Sequence, residues 1–398
     1  MSTAAAPARP PSRWDAFRLH LLDNRYPSLH GLRVLAIVSV VQYHVTWIMI
    51  GEQGIVLDPT FTDLSLGVFF GMDLFFILSG FLIGSILIRS LEIEGTRDLR
   101  RFYLRRAFRT FPAYYVVLTV LVLAFGLTPG QRQDLWGEYT YLTNFMPLLR
   151  DKIVMFWGWS LALEEQFYLT VPLFLLVLSK LRSNKARAAL LIAVWLSALA
   201  IREWYYYRHS PLTDLQLYDQ VYFRTKTRFD TLVAGIFLAF LQHTWREPIG
   251  AWLQRPFHRA LIALPTLGCL WLLLEPAMFG DAYVQRVHLL LWGTVTSLFY
   301  LGTLLLLLHG HGAIQRALSA PIFRRIATLG YGVYLVHIPV ADHFLVPIAT
   351  RLYGEHVSML WVWPASVVAL VGLSLGISYV LHVLVEKPSL HLRDKIAA

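Results

Sequence analysis

Residues 66–88 read LGVFFGMDLFFILSGFLIGSILI, an apolar run that carries a single charge, Asp73. A helix needs roughly 20 such residues to cross the hydrocarbon core of a bilayer. The pattern recurs along a chain of 398 residues that is 56% hydrophobic and 15% charged, with a mean hydropathy of +0.53. That composition points to the bilayer as solvent, where only helices or a closed barrel satisfy the backbone internally. Continuous apolar runs select helices, because barrel strands give short alternating segments. Ten spans are predicted, at 29–50, 66–88, 111–127, 159–179, 188–206, 229–243, 258–275, 287–309, 326–349 and 359–385. The run at 229–243 is the shortest. The expected fold is therefore an all-α polytopic membrane protein of about ten transmembrane helices. A cytoplasmic segment over 1–28 precedes an integral-membrane domain over 29–388, and a cytoplasmic tail over 389–398 follows it.

The charge pattern orients this frame. The net charge is +10, but the basic residues sit between apolar runs, as in membrane topology signals, so no nucleic-acid partner is expected. With the N-terminus inside, 24 of the 35 Lys and Arg residues fall on cytoplasmic segments, which puts both termini in the cytoplasm. Ten fall outside, five of them between Arg202 and Arg228. The first 28 residues lack the apolar run of a signal peptide. Disorder is expected over 1–12, and a short surface helix from Trp14 to Leu22. The single cysteine, Cys269, excludes an intrachain disulfide. The outside stretch 128–158 carries Tyr139, Tyr141, Phe145, Phe156 and Trp157. It reads either as an interfacial aromatic belt or as a segment dipping back against other helices.

Ionisable residues inside apolar spans point to function. Arg33 and His44 are eleven residues apart, so they return to nearly one helical face about 16 Å apart along the axis. A neutral imidazole at that depth suits a general base, or simply a histidine bonded to a backbone carbonyl. In Trp159–Tyr168, the i, i+4 spacing puts Ser160, Glu164 and Tyr168 on one stripe and leaves Glu165 on another. Asp73 reads equally as the partner of a cation or as a ligand contact, with Ser79 and Gly80 nearby as helix-packing positions. Arg101, Arg105 and Arg109 form a stripe that Arg106 joins. Clustered guanidinium groups suit phosphate, and equally the headgroups of anionic lipid. Arg228 and Asp230 cannot face each other on one helix, so each needs a partner elsewhere. Tyr334 and His337 share a face just before Pro339, where a helix break and a packing role for His337 are expected.

These pieces, in this order, resemble the acyltransferase-3 family of membrane O-acyltransferases from about Leu29 to Pro388. The resemblance rests on Arg33 with His44, Gly71–Phe81, Arg106 with Arg109, Trp159–Tyr168, Arg228–Asp230 and Tyr334–His337. It departs from the family's habit at Val34, where glycine is frequent, and at Gly330, where serine is common. It implies an enzyme of the bacterial cytoplasmic (inner) membrane that moves an acyl group from acyl-CoA to a hydroxyl of a carbohydrate or glycosylated metabolite. The expected donor is acetyl-CoA, a co-substrate rather than a tightly bound cofactor, and no metal is expected. The partners are then acyl-CoA, the glycosylated acceptor and membrane lipids.

The resemblance also implies roles for residues. His44 is the candidate base, with Glu164 as its acidic partner and Arg33 beside it. Arg106 and Arg109 are candidate CoA contacts, and Asp73, Arg228, Asp230, Tyr334 and His337 complete the substrate-binding set. Because the chain ends soon after the last span, second-stage chemistry by an appended esterase-like domain is not expected. The competing expectation is a transporter of a lipid-linked or acylated metabolite, in which the same ionisable residues form a pathway. Transporters often carry internal repeats, and none is evident here.

Overall fold

A computed structural model describes residues 18–67, 70–93, 99–279 and 282–396, and these are helical without strands. The expected disorder over 1–12 and most of the expected surface helix at Trp14–Leu22 lie outside them. The elements in order are α1 Ser28–Trp47, α2 Pro59–Gly67, α3 Gly71–Ile93, α4 Leu99–Phe125, α5 Pro129–Tyr139 and α6 Trp159–Ser179. Then come α7 Asn184–His209, α8 Asp214–Leu217, α9 Thr225–Arg228, α10 Asp230–Thr244, α11 Arg246–Trp252 and α12 Pro256–Phe279. The chain closes with α13 Ala282–Leu308, α14 Ala313–Leu318, α15 Pro321–Val340, α16 Val346–Gly354, α17 Met359–Leu381 and α18 Lys387–Ile396.

Among the described residues, nine helical stretches are long and apolar enough to cross a membrane. The tenth expected span, 229–243, is α10, and its 15 residues rise only about 22 Å. What α10 lacks in length it has in burial: every residue from Asp230 to Ile236 is buried. It packs on α3 backbone to backbone. A side chain at Gly80 would strike the Leu232 carbonyl, and one at Gly235 would strike the Ile77 carbonyl, which is the close approach that small residues permit in membranes.

Two other boundaries differ from expectation. The third span is predicted from 111, yet α4 begins at Leu99, so the arginine stripe and the span are one helix. Pro339 does not end α15. The helix runs on to Val340 and widens into a π turn over Ala341–Leu345, a usual response to a missing N–H donor.

The stretch 128–158 folds back on the bundle. Tyr141 is buried and stacks on Phe111 and Tyr114, and Met155 and Trp157 are buried as well. Its keystone is Glu138, fully buried, whose carboxylate accepts the N–H groups of Val154 at 2.9 Å and Met155 at 2.7 Å. Burial pushes this carboxyl up to about 7, while the two backbone donors pull it down.

At the other face, the N-terminal strap from Arg18 to Tyr26 crosses the bundle and touches its C-terminal end. The His20 N–H donates to His382 Nε2 at 3.1 Å, and Lys387 donates to the Arg18 carbonyl at 2.9 Å.

Candidate active site

A cavity of about 320 Å³ opens between α1, α3, α4, α6, α15 and the strap. Its wall carries Arg33, Arg106, Arg109, Glu164 and Tyr334, together with Ser79, Ser160 and Tyr168. Three arginines from two helices thus meet in one space, with Arg25 and Asp23 of the strap also on its wall. Arg101 and Arg105, on the same stripe in sequence, are absent from this wall, and Arg105 is exposed. The stripe divides because a cavity reached from one side of α4 takes Arg106 and Arg109, three residues apart.

Glu164 does turn inward, as its stripe predicts. Its carboxylate accepts hydrogen bonds from the Ser79 and Tyr168 hydroxyls. Ser79 is therefore a wall residue with a polar partner, more than a packing position. The Arg106 guanidinium lies 3.9 Å from the centre of the Tyr168 ring, so a cation, a tyrosine, a carboxylate and a serine form one cluster across α3, α4 and α6. Among the described residues, no carboxylate stands within ion-pair distance of Arg33, Arg106 or Arg109.

The imidazole of His44 meets a different partner from the one its role as a carboxylate-assisted base calls for. His337 Nε2 lies 3.1 Å from His44 Nδ1. His337 Nδ1 lies 2.7 Å from the Tyr334 carbonyl oxygen, and a carbonyl can only accept. With both rings neutral, His337 Nδ1 carries the proton and Nε2 accepts. His44 Nδ1 then donates, and the lone pair remains on His44 Nε2. The expected packing role of His337 thus widens: it fixes the tautomer of His44. Spacing within α15 alone could not reveal this, because the partner lies 293 residues away.

The histidine pair lies beyond the inner end of the cavity, and neither ring lines it. Tyr334 and Ser160 form that end. Their hydroxyls are 2.6 Å apart, and Tyr334 donates to the Trp157 carbonyl at 2.7 Å. On the far side, Arg150 lies over Phe156 and Trp47, at 4.4 and 5.1 Å, and pairs with Asp342 at 3.1 Å.

Asp73, Arg228 and Asp230 do not join the cavity wall. Asp73 Oδ1 lies 2.8 Å from Arg228 Nη1 and accepts from Thr231, and Oδ2 accepts from Trp292 at 2.8 Å. The Arg228 contact is ionic without the angle of a hydrogen bond, since no guanidinium nitrogen has a hydrogen-bond partner; its plane rests over Tyr222 at 4.5 Å. Asp230 pairs with Arg202 at 2.7 Å, and Arg202 also donates to the Leu290 and Thr227 carbonyls and to Thr294. Both pairs are 2% exposed or less. These three residues, expected to bind substrate, are each paired with an opposite charge of the protein.

Among proteins of known sequence, the chain is 30% identical over 333 residues to the peptidoglycan O-acetyltransferase OatA of Listeria monocytogenes, covering 79% of this chain and 49% of that protein. It is also 30% identical over 335 residues to "Putative peptidoglycan O-acetyltransferase YrhL" of Bacillus subtilis, covering 80% and 49%. The chain thus spans about half the length of these relatives. No solved structure matches it. The sequence profile described as an acyltransferase domain matches residues 26–383, nearly the whole chain and every helix that walls the cavity, and the chain therefore belongs to the acyltransferase-3 family.

Proposed function

We propose that the chain is a membrane-bound O-acyltransferase that moves an acetyl group from acetyl-CoA to a carbohydrate hydroxyl, with His44 as the base. The observation that carries this reading is the relay from the Tyr334 carbonyl through His337 to His44, which leaves a lone pair on His44 Nε2. The relatives named as peptidoglycan O-acetyltransferases support a glycan acceptor. In the proposed step the acceptor oxygen attacks the thioester carbonyl while its proton passes to His44 Nε2. The tetrahedral intermediate then collapses, the C–S bond breaks, and the departing CoA thiolate takes that proton back. Arg106 and Arg109 grip donor phosphates, for which a planar fork is suited. Membership of an acyltransferase family favours this reading over transport.

The test is His44→Ala in purified protein given labelled acetyl-CoA and glycan acceptors. A base contributes about 10²–10⁴-fold, so turnover falls by that factor while folding and CoA binding hold. A variant within a few-fold of the parent rate would end the assignment.

Within the same proposal, the chain crosses a bacterial inner membrane ten times with both ends cytoplasmic. The contacts between the strap and the C-terminal end support this, since ends that touch need an even number of crossings. The short α10 then completes a crossing begun by its neighbours. Burial of Arg202, Arg224 and Arg228 also supports it: three of the five basic residues counted in that outside stretch are core groups, which sharpens the positive-inside asymmetry.

A further inference from the structure

His30 opens α1 one helical turn before Arg33 and lines the same cavity. It is 4% exposed, and neither ring nitrogen makes a well-formed hydrogen bond among the described residues, although the Asp23 backbone lies nearby and Asp23 lines the same cavity. An imidazole buried without a well-formed hydrogen bond is rare in native structures and calls for an explanation, such as a ligand that supplies the missing partner. The surroundings are rigid. A side chain at Gly31 would collide with the Leu318 backbone, so this first turn is clamped against α14. The strap is clamped as well: the Leu22 N–H donates to Thr328 at 3.3 Å, and Arg324 donates to the Leu22 carbonyl at 2.7 Å. Arg25 and Tyr26 of the strap reach the cavity beside His30.

We propose that His30 binds the phosphorylated-ribose end of the acyl donor, a nucleotide thioester, at the mouth of the cavity. This rests on the donor reading above and adds a residue and a polarity to it. His30 precedes His44 by fourteen residues, about 21 Å along the helix, so the thioester end must point away from His30 toward Tyr334 and the histidine pair. The end left at the mouth is the nucleotide. A neutral imidazole donates one hydrogen bond and accepts one. A phosphate accepts the first and a ribose hydroxyl donates the second, while Arg33 and Arg109 supply the charge.

The experiment measures binding of CoA, adenosine 3′,5′-bisphosphate and S-acetylpantetheine to the purified protein in detergent. His30→Ala should weaken CoA and the bisphosphate by at least about 10-fold, the loss of a hydrogen bond to a charged group. It should leave S-acetylpantetheine unchanged and raise the KM for acetyl-CoA at constant kcat. His30→Gln, which keeps a donor and an acceptor, should recover most of the affinity and covers the case in which the alanine variant folds poorly. Equal bisphosphate binding by the parent and both variants would overturn the inference while leaving the donor reading intact. Parallel loss of all three ligands in both variants would make His30 a packing residue and overturn it too. A parent that binds no CoA would remove the donor reading and this inference together.

Discussion

The molecule treats buried charge in two ways. In the cluster where α3, α7, α10 and α13 meet, Asp73 faces Arg228 and Asp230 faces Arg202, each pair 2% exposed or less, with threonine, tryptophan and backbone groups taking up other hydrogen bonds. In the cavity between α1, α4 and α6, Arg33, Arg106 and Arg109 converge with no carboxylate in ion-pair range among the described residues. The one glutamate in their midst is held by two hydroxyls. Desolvating an ion costs several kcal/mol, which only good partners repay. In the first region each carboxylate faces a protein cation, although the Arg228 guanidinium finds no hydrogen-bond partner among the described residues. On the proposed donor reading, an anion faces the arginines of the second. A charge inside the membrane is thus a sign of ligand binding only after its protein partners have been counted.

The largest expected effect tests the closed region. Asp73→Ala strands Arg228 in the core, and breaking one side of a buried pair costs about 3–5 kcal/mol. Thermal unfolding in detergent should show that loss, whereas Arg33→Ala, in the open region, should cost far less stability. If the two variants lose stability equally, the distinction between the regions collapses.

Glu138 sharpens the comparison from another side, as a buried carboxyl held by backbone N–H groups with no cation in ion-pair range among the described residues. Its folded pKa is raised, to about 7. Between the unfolded value and that one, the folded state holds more protons than the unfolded state, so stability is greatest at low pH and is lost as pH rises through about 7. One group shifted by this much contributes up to about 3 kcal/mol between pH 5 and 8. Hydrogen exchange over 140–158 should therefore quicken at pH 8 relative to pH 5 by more than its intrinsic pH dependence, and Glu138→Gln should flatten the difference. A parent with no such difference would mean that the backbone donors keep Glu138 ionised throughout.

A smaller effect probes the open region directly. Arg106→Lys and Arg109→Lys keep charge and lose the planar fork. Arg106 would also lose its stacking on Tyr168. CoA affinity should fall about 10-fold in each, roughly the worth of one charge-assisted hydrogen bond. Unchanged binding in both would reduce the pair to lipid anchors.

Much of this was legible in the sequence, and the limits have a physical form. Hydropathy found the spans because each is a local property of about 20 residues. It found the 229–243 segment to within one residue of α10, whose 15 residues are short for a full crossing and mostly buried. Spacing found the inward face of Glu164, because the stripe lies within one helix. What spacing could not supply was a partner on another helix. Asp73 and Arg228 are 155 residues apart, and His44 finds His337 across 293. Arg101 and Arg109 look alike along α4 until the position of the cavity separates them. Glu138 carried no signal, since a lone glutamate in a polar stretch reads as surface.

The smallest expected effect concerns Glu164, and it decides which region that residue belongs to. Its hydrogen bonds go to Ser79 and Tyr168, and the ring that reaches His44 is His337. On that geometry Glu164 orients the hydroxyls of the wall and offsets part of the charge of three arginines. Glu164→Gln keeps an acceptor for both hydroxyls and removes the negative charge. The cavity becomes more cationic, so CoA should bind as well as in the parent or more tightly. Turnover should fall by less than about 10-fold, against about 10²–10⁴-fold for loss of the base. Steady-state kinetics on both variants separate the alternatives. If Glu164→Gln costs as much turnover as His44→Ala while CoA affinity holds, the carboxylate acts on the reacting atoms. The cavity and the histidine pair would then be one reaction chamber in the working state, with the Tyr334–Ser160 contact between them opened by the substrates.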